Sequence, residues 1–115
     1  MVDTLIKESP EAVVQRQLNA YNARDIDAFA DTYSKDVLIS DWSGKVLMKG
    51  QEALRLSYTG MFKQIPNLHC EIKKRIVKGN KVIDEERVRF GKDFMEAIAI
   101  YEVENGKISK VTFIQ

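Results

Sequence analysis

The sequence predicts an α+β fold, with three helices packed on a strongly curved, mainly antiparallel sheet. Three observations carry that expectation. Apolar residues recur at helical spacing in three stretches before residue 66. From residue 68 onward the chain is rich in Ile, Val and Leu, broken by Gly79-Asn80, Gly91-Lys92-Asp93 and Asn105-Gly106. Two short strands around the turn Trp42-Ser43-Gly44-Lys45 separate the second helix from the third. Helices segregated from a strand meander point to α+β rather than to alternating α/β units.

The length of 115 residues fits a single domain, large enough to build a core without disulfides or metal. Residues 1–8 read as a loose arm. Ser9-Pro10-Glu11 is a helix start, with serine as the cap, proline in the first turn and an acid beside it. Val14, Leu18 and Tyr21 form the buried stripe of that helix, and Gln17 lies on its inward edge. Asn22-Ala23-Arg24-Asp25 interrupts the pattern, and Asp25 caps a second helix whose face is Ile26, Phe29, Ala30 and Tyr33. Ser34-Lys35-Asp36 closes it. A strand follows from Val37 to Asp41, then the turn, then Val46-Leu47-Met48.

After Gly50, a third helix carries Leu54, Tyr58, Met61, Phe62 and Ile65 on one stripe, and Pro66-Asn67 ends it. Residues 68–77 form a strand whose alternation falters near Arg75-Ile76-Val77, which predicts a bulge there. Residues 82–90, 94–104 and 107–115 complete the meander. The pair Asn105-Gly106 is the strongest hairpin signal in the chain and suits a type I′ turn. A strongly twisted sheet curls around the helices on one face and encloses a space suited to a small molecule. The opposite face carries Ile98 and Ile100, and a second copy of the chain is its simplest cover.

Composition excludes several function classes. Hydrophobic residues are 44% and charged residues 30%, a balance that suits a folded soluble domain rather than a disordered segment. With 18 basic and 17 acidic residues the net charge is +1, which argues against nucleic acid as a partner. No apolar run approaches the roughly 20 residues that span a membrane. The first eight residues lack the apolar core of a signal peptide. A single cysteine, Cys70, rules out an internal disulfide, so a reducing, cytoplasmic setting is the expectation. Cys70 reads as a small core residue, and His69, on the opposite face with Glu71 and Lys73, as exposed. No spacing of His or Cys suggests a metal site, and no glycine-rich phosphate loop or nucleophile elbow is present.

The candidate chemistry lies in a few side chains. Alternation puts Asp41 on one face with Val37 and Ile39. A carboxylate so placed is either a cap for the turn amides at Ser43 or Gly44, or a base whose pKa is raised by desolvation. Glu86 shares a face with Asp84, Val88 and Phe90, which makes it a second candidate for a pocket acid, with a solvated strand edge as the alternative. Tyr33 and Tyr58 sit inside apolar stripes, where each hydroxyl needs a partner. Met95, Ala97, Ala99, Tyr101 and Val103 share one face of residues 94–104.

The layout, with Arg24-Asp25-Ile26-Asp27-Ala28-Phe29, Tyr33-Ser34-Lys35-Asp36-Val37, Asp41-Trp42-Ser43-Gly44 and Gly50-Gln51-Glu52-Ala53-Leu54, resembles the nuclear transport factor 2-like superfamily. That superfamily has a cystatin-like cone fold with a central pocket, and includes ketosteroid isomerases and SnoaL-like polyketide cyclases. The resemblance spans Pro10 to Gln115. It implies a cofactor-independent isomerase or cyclase. Asp41 would be the base abstracting a proton next to a carbonyl, Tyr33 and Tyr58 would support it, and Trp42 and Tyr101 would shape the pocket. The family's two usual oxyanion positions fall on Gln17 and Ala99, so neither usual donor is kept. The implied ligand is a small apolar or carbonyl-containing molecule, with no metal and no cofactor. A dimeric domain that binds a ligand without chemistry, and a pure interaction module with a filled pocket, are the alternatives.

Overall fold

The computed structural model describes residues 8–115; all but the last residue of the expected N-terminal arm lies outside them. Helix α1 (Pro10–Ala23) begins where the Ser9 hydroxyl accepts from the Ala12 amide at 3.1 Å. It ends at Arg24, whose left-handed backbone lets its N–H bond the carbonyls of Ala20 and Tyr21. Asp25 caps helix α2 (Ile26–Asp31) through a bond from the Ala28 amide to its carboxylate. Helix α3 (Gln51–Gln64) follows Gly50, whose φ of 92° only glycine adopts without strain.

Six strands form one open sheet: β1 (Tyr33–Asp41), β2 (Val46–Lys49), β3 (His69–Lys78), β4 (Lys81–Phe90), β5 (Asp93–Glu104) and β6 (Lys107–Ile114). Their order is β2-β1-β6-β5-β4-β3. Neighbours are antiparallel except β1 and β6, which run parallel, so the sheet is mixed. Asn105 and Gly106 both have positive φ, 53° and 77°, as a type I′ hairpin requires.

Two details differ from the sequence reading. Tyr33 is the first residue of β1 rather than the last turn of a helix. Thr32 ends α2, and its carbonyl accepts from the Ile108 amide at 2.8 Å, which draws the chain into the sheet. The inward face is kept either way, so Tyr33 is still buried. The irregularity in β3 falls at Lys73 rather than near Ile76. Ile72 lies opposite Glu86 and Lys74 opposite Glu85, leaving Lys73 as the extra residue.

The helices cover one face of the sheet. Phe29 is fully buried at the centre of the interface. Its ring centroid lies 4.8 Å from Tyr58, 5.2 Å from Tyr33, 5.7 Å from Phe62 and 5.9 Å from Tyr21. Val82, Ala99, Tyr101, Val103 and Val111 supply the sheet side of the core, and Cys70 is buried with them. His69 is exposed. The opposite face carries Ile76, Ile83, Ile98, Ile100 and Ile114 at half-buried or exposed positions. Among the described residues no helix is long and apolar enough to cross a membrane.

Candidate small-molecule site

A cavity of about 260 Å³ lies between the helices and the sheet. All four tyrosines of the chain line it: Tyr21 from α1, Tyr33 from β1, Tyr58 from α3 and Tyr101 from β5. Leu18, Val88, Phe90, Ala97 and Phe113 supply apolar wall, and Met48, Met61 and Met95 add adaptable thioethers. Glu86 is the one carboxylic residue in the lining, which contains no Lys, Arg or His among the described residues.

Strict alternation along β4 puts Glu86 there. Val82, Asp84, Glu86 and Val88 all point inward and are buried, while Arg87 and Arg89 point out and flank the Phe94 ring. Among the described residues the Glu86 side chain has one partner, the Tyr101 hydroxyl, which donates to its Oε2 at 3.2 Å. Burial pushes the Glu86 carboxyl up from 4.5 to about 7, and the neighbouring Asp84 charge adds to the rise. The Tyr101 bond and the Arg75 charge oppose it.

The tyrosine hydroxyls remain protonated through the neutral range. Burial raises Tyr21, Tyr33 and Tyr101 strongly and pushes Tyr58 up to about 12. Gln17 donates from Nε2 to the Tyr33 hydroxyl at 3.1 Å. That bond occupies Tyr33 as an acceptor, so its own proton is directed elsewhere. Cys70 also lines the cavity, and burial raises its thiol well above the ordinary value, which keeps it an unreactive neutral group.

Local devices hold these walls in place. The Gln51 amide donates to the carbonyls of Ala30 and Tyr33, at 2.8 and 2.9 Å, and so fixes the α2–β1 junction. Asn22 bonds both the amide and the carbonyl of Cys70, which satisfies the edge strand β3 and seats Cys70 against α1. The Arg24 guanidinium bonds the carbonyls of Ile65, Pro66 and Leu68 and fastens the loop between α3 and β3.

Gln17, Tyr33, Tyr58, Glu86 and Tyr101 are therefore brought together. Asp41, Trp42 and Ala99 are not. Asp41 does share the face of Ile39, but it lies at the strand end. There its Oδ1 accepts from the Ser43 amide at 2.9 Å, the Ser43 hydroxyl at 2.6 Å and the Lys45 amide at 3.1 Å. The Ser43 hydroxyl and the turn amides hold its carboxyl below the usual 3.8, the opposite of what a desolvated base needs. The expectation of a pocket base at Asp41 is corrected: the turn takes up its carboxylate, and the acid that faces the cavity is Glu86. Trp42 is 70% exposed, one residue further into the same turn. Ala99 is fully buried between Asp84 and Phe113 in the sheet and does not reach the lining.

With this geometry in hand, comparison with known proteins is informative. The model of the SnoaL-like domain matches residues 14–111. The chain belongs to the SnoaL-like family. No curated protein matches it by sequence. Among solved structures, a cystatin-fold protein from Novosphingobium aromaticivorans superposes with a TM-score of 0.88 at 28% identity, over 94% of this chain and 99% of that one. A candidate polyketide cyclase from Sinorhizobium meliloti superposes at 0.75, with 20% identity over 89% and 93% of the two chains. A protein of ketosteroid isomerase-like fold from Catenulispora acidiphila, in complex with trimethylamine, superposes at 0.76, with 17% identity over 94% and 87%. These neighbours support the cone-like α+β architecture.

Alternation grouped Glu86 with Val88 and Phe90 on one face of β4, and the structure decides that this face is the inward one. The pairing of Arg75 with Asp84 beside it was not legible in the sequence, because the facing of Arg75 depends on the Lys73 bulge. The roles of Gln51 and Asn22 carry no local signal, since each acts on backbone far away in sequence.

Proposed function

We propose that this SnoaL-like domain is a cofactor-independent enzyme of the isomerase or cyclase type, acting on a small, largely apolar carbonyl compound, with Glu86 as its proton-transfer group. In such a reaction the Glu86 carboxylate takes a proton from the carbon next to the carbonyl. The C–H electron pair moves into the carbonyl and leaves an enolate oxygen, to which Tyr33 or Tyr58 donates. The proton then returns from Glu86 to a second carbon, so nothing is gained or lost overall. The observation that carries this reading is a carboxyl held near pH 7 in a tyrosine-lined apolar cavity. A group poised near the working pH transfers protons well in both directions. At about 260 Å³ the space exceeds the roughly 150 Å³ that accepts benzene, so a one- or two-ring molecule fits. The same volume speaks against a pure interaction module with a filled interior.

The test is hydrogen exchange in D₂O, followed by proton NMR, over a panel of one- and two-ring ketones. Exchange next to the carbonyl should be accelerated by the wild type and by Asp41→Asn, and lost in Glu86→Gln. Undiminished exchange in Glu86→Gln would overturn the assignment, as would its loss in Asp41→Asn. A second reading, binding of a small amine without chemistry, is favoured by the trimethylamine bound in the Catenulispora neighbour. A carboxylate among four tyrosines suits a cationic nitrogen. Saturable binding of trimethylamine with no exchange of any ketone would select that reading.

A second copy of the chain is the proposed partner for the outer sheet face. Ile76, Ile83, Ile100 and Thr112 lie in one cross-strand row, with Ile98 and Ile114 paired beside it. Sedimentation should give a dimer for the wild type and a monomer for Ile100→Glu. A wild-type monomer at all concentrations would refute this.

A further inference from the structure

We propose that Arg75 is a positioning residue for the cavity: by gripping both carboxyl oxygens of Asp84 it fixes the pair of groups that lies beside Glu86 and sets how firmly Glu86 holds its proton. The inference rests on the reading of Glu86 as the proton-transfer group and adds how that group is set.

Asp84 and Glu86 occupy alternate positions on the inward face of β4 and are 1% and 7% exposed. Arg75 donates from Nε to Asp84 Oδ1 at 2.7 Å and from Nη2 to Oδ2 at 2.9 Å, engaging both oxygens in a fork. A guanidinium does not give up its proton, so this partner is permanently charged. Among the described residues the partner of Glu86 is the neutral Tyr101 hydroxyl.

The clamp depends on the backbone. Uninterrupted pairing of β3 with β4 would put Lys74 opposite Asp84, and the extra residue Lys73 puts Arg75 there instead. Lysine binds as a point charge and loses its proton readily when buried, so it could not do the same work. Arg75 is itself held from α1, donating from Nη1 to Gln15 Oε1 at 2.8 Å with Glu11 at 3.9 Å. The groups that face Glu86 are Asp84 on its own strand, Arg75 and Cys70 from β3, Tyr101 from β5, Tyr21 from α1, Tyr33 from β1 and Tyr58 from α3. The tyrosines and the thiol stay neutral near pH 7. Among the described residues, Asp84 and Arg75 act on Glu86 in opposite senses, Asp84 raising its carboxyl and Arg75 lowering it.

The experiment follows the Glu86 carboxyl by carbon NMR through a pH titration, with amide spectra as a check on folding, and needs no substrate. Arg75→Gln removes the cation that holds the Glu86 midpoint down and should raise it by roughly one pH unit or more. Asp84→Asn should lower it by a similar amount. The double variant, with neither charge, should return to within roughly half a unit of wild type. A midpoint unmoved in both single variants, or moved the same way in both, would overturn the inference, since general loosening admits water and lowers the midpoint in either variant. If Arg75→Gln does not fold, Asp84→Asn decides, and an unchanged midpoint there sinks the idea. A wild-type Glu86 that titrates in the ordinary carboxylate range would refute the reading of Glu86 itself. A wild-type value near 7 with unmoved variants would refute the role of Arg75 alone.

Discussion

Replacing Glu86 by Gln should abolish a pH dependence of stability that the wild type carries. In the unfolded chain this carboxyl ionises near 4.5, and in the folded protein near 7. Between those values the folded state keeps a proton that the unfolded state has lost, so rising pH favours unfolding. The interval from 4.5 to about 7 is about 2.5 pH units. At about 1.4 kcal/mol per unit, ionisation of Glu86 disfavours folding by about 3 kcal/mol once both states are charged. The penalty is absent below the unfolded value and complete above the folded one. Glutamine matches the shape, keeps an oxygen for the Tyr101 hydroxyl and has no charge to desolvate. Urea unfolding at about pH 4 and about pH 8 should therefore show the variant gaining about 3 kcal/mol on the wild type across that range. Other titrating groups cancel in the difference. Far-ultraviolet circular dichroism is the suitable probe, because the single tryptophan, Trp42, is 70% exposed and reports poorly on the core. Parallel stability curves, differing by less than about 1 kcal/mol over the range, would refute the placement of a desolvated carboxyl at residue 86.

Asp41→Asn should lower stability at neutral pH and leave proton exchange intact. Its folded pKa is depressed, so its contribution is complete above the usual 3.8 and fades as pH falls through the folded value. The gap between wild type and variant in thermal unfolding should close on acidification. Phe29→Ala removes the ring at the centre of the aromatic cluster and should cost about 3–5 kcal/mol in chemical denaturation. Ala97→Leu, directly opposite Glu86 on β5, should fill cavity space and abolish saturable binding of small aromatic molecules in an NMR titration, with the amide spectrum otherwise kept.

The patterns that depend on near neighbours were legible in the chain. Ser9, Asp25 and the Asn105-Gly106 pair act on backbone within a few residues, and each does what its chemistry dictates. The grouping of alternate residues in 94–104, and of Glu86 with Val88 and Phe90, follows from period two, which holds wherever a strand runs unbroken. Tyr33 shows where local spacing stops being enough. It satisfied a helical stripe, yet the bond from Ile108 to Thr32, between residues far apart in sequence, made it a strand.

Period two placed Asp41 on the correct face, but a face has no length. How far the cavity extends along that face was decided by where the helices and the neighbouring strands lie. The strand end at Asp41 falls beyond it, in a turn with three donors within reach. The Lys73 bulge is of the same kind, since it is defined only by how β3 pairs with β4. That one extra residue turns Arg75 toward Asp84 and so sets the charge beside Glu86. The sequence by itself determined the order of the elements and which residues share a face, Glu86 with Val88 and Phe90 among them. Only the tertiary structure decided which acid meets the cavity and which partners set its proton, because burial and pairing are properties of residues brought together from different strands.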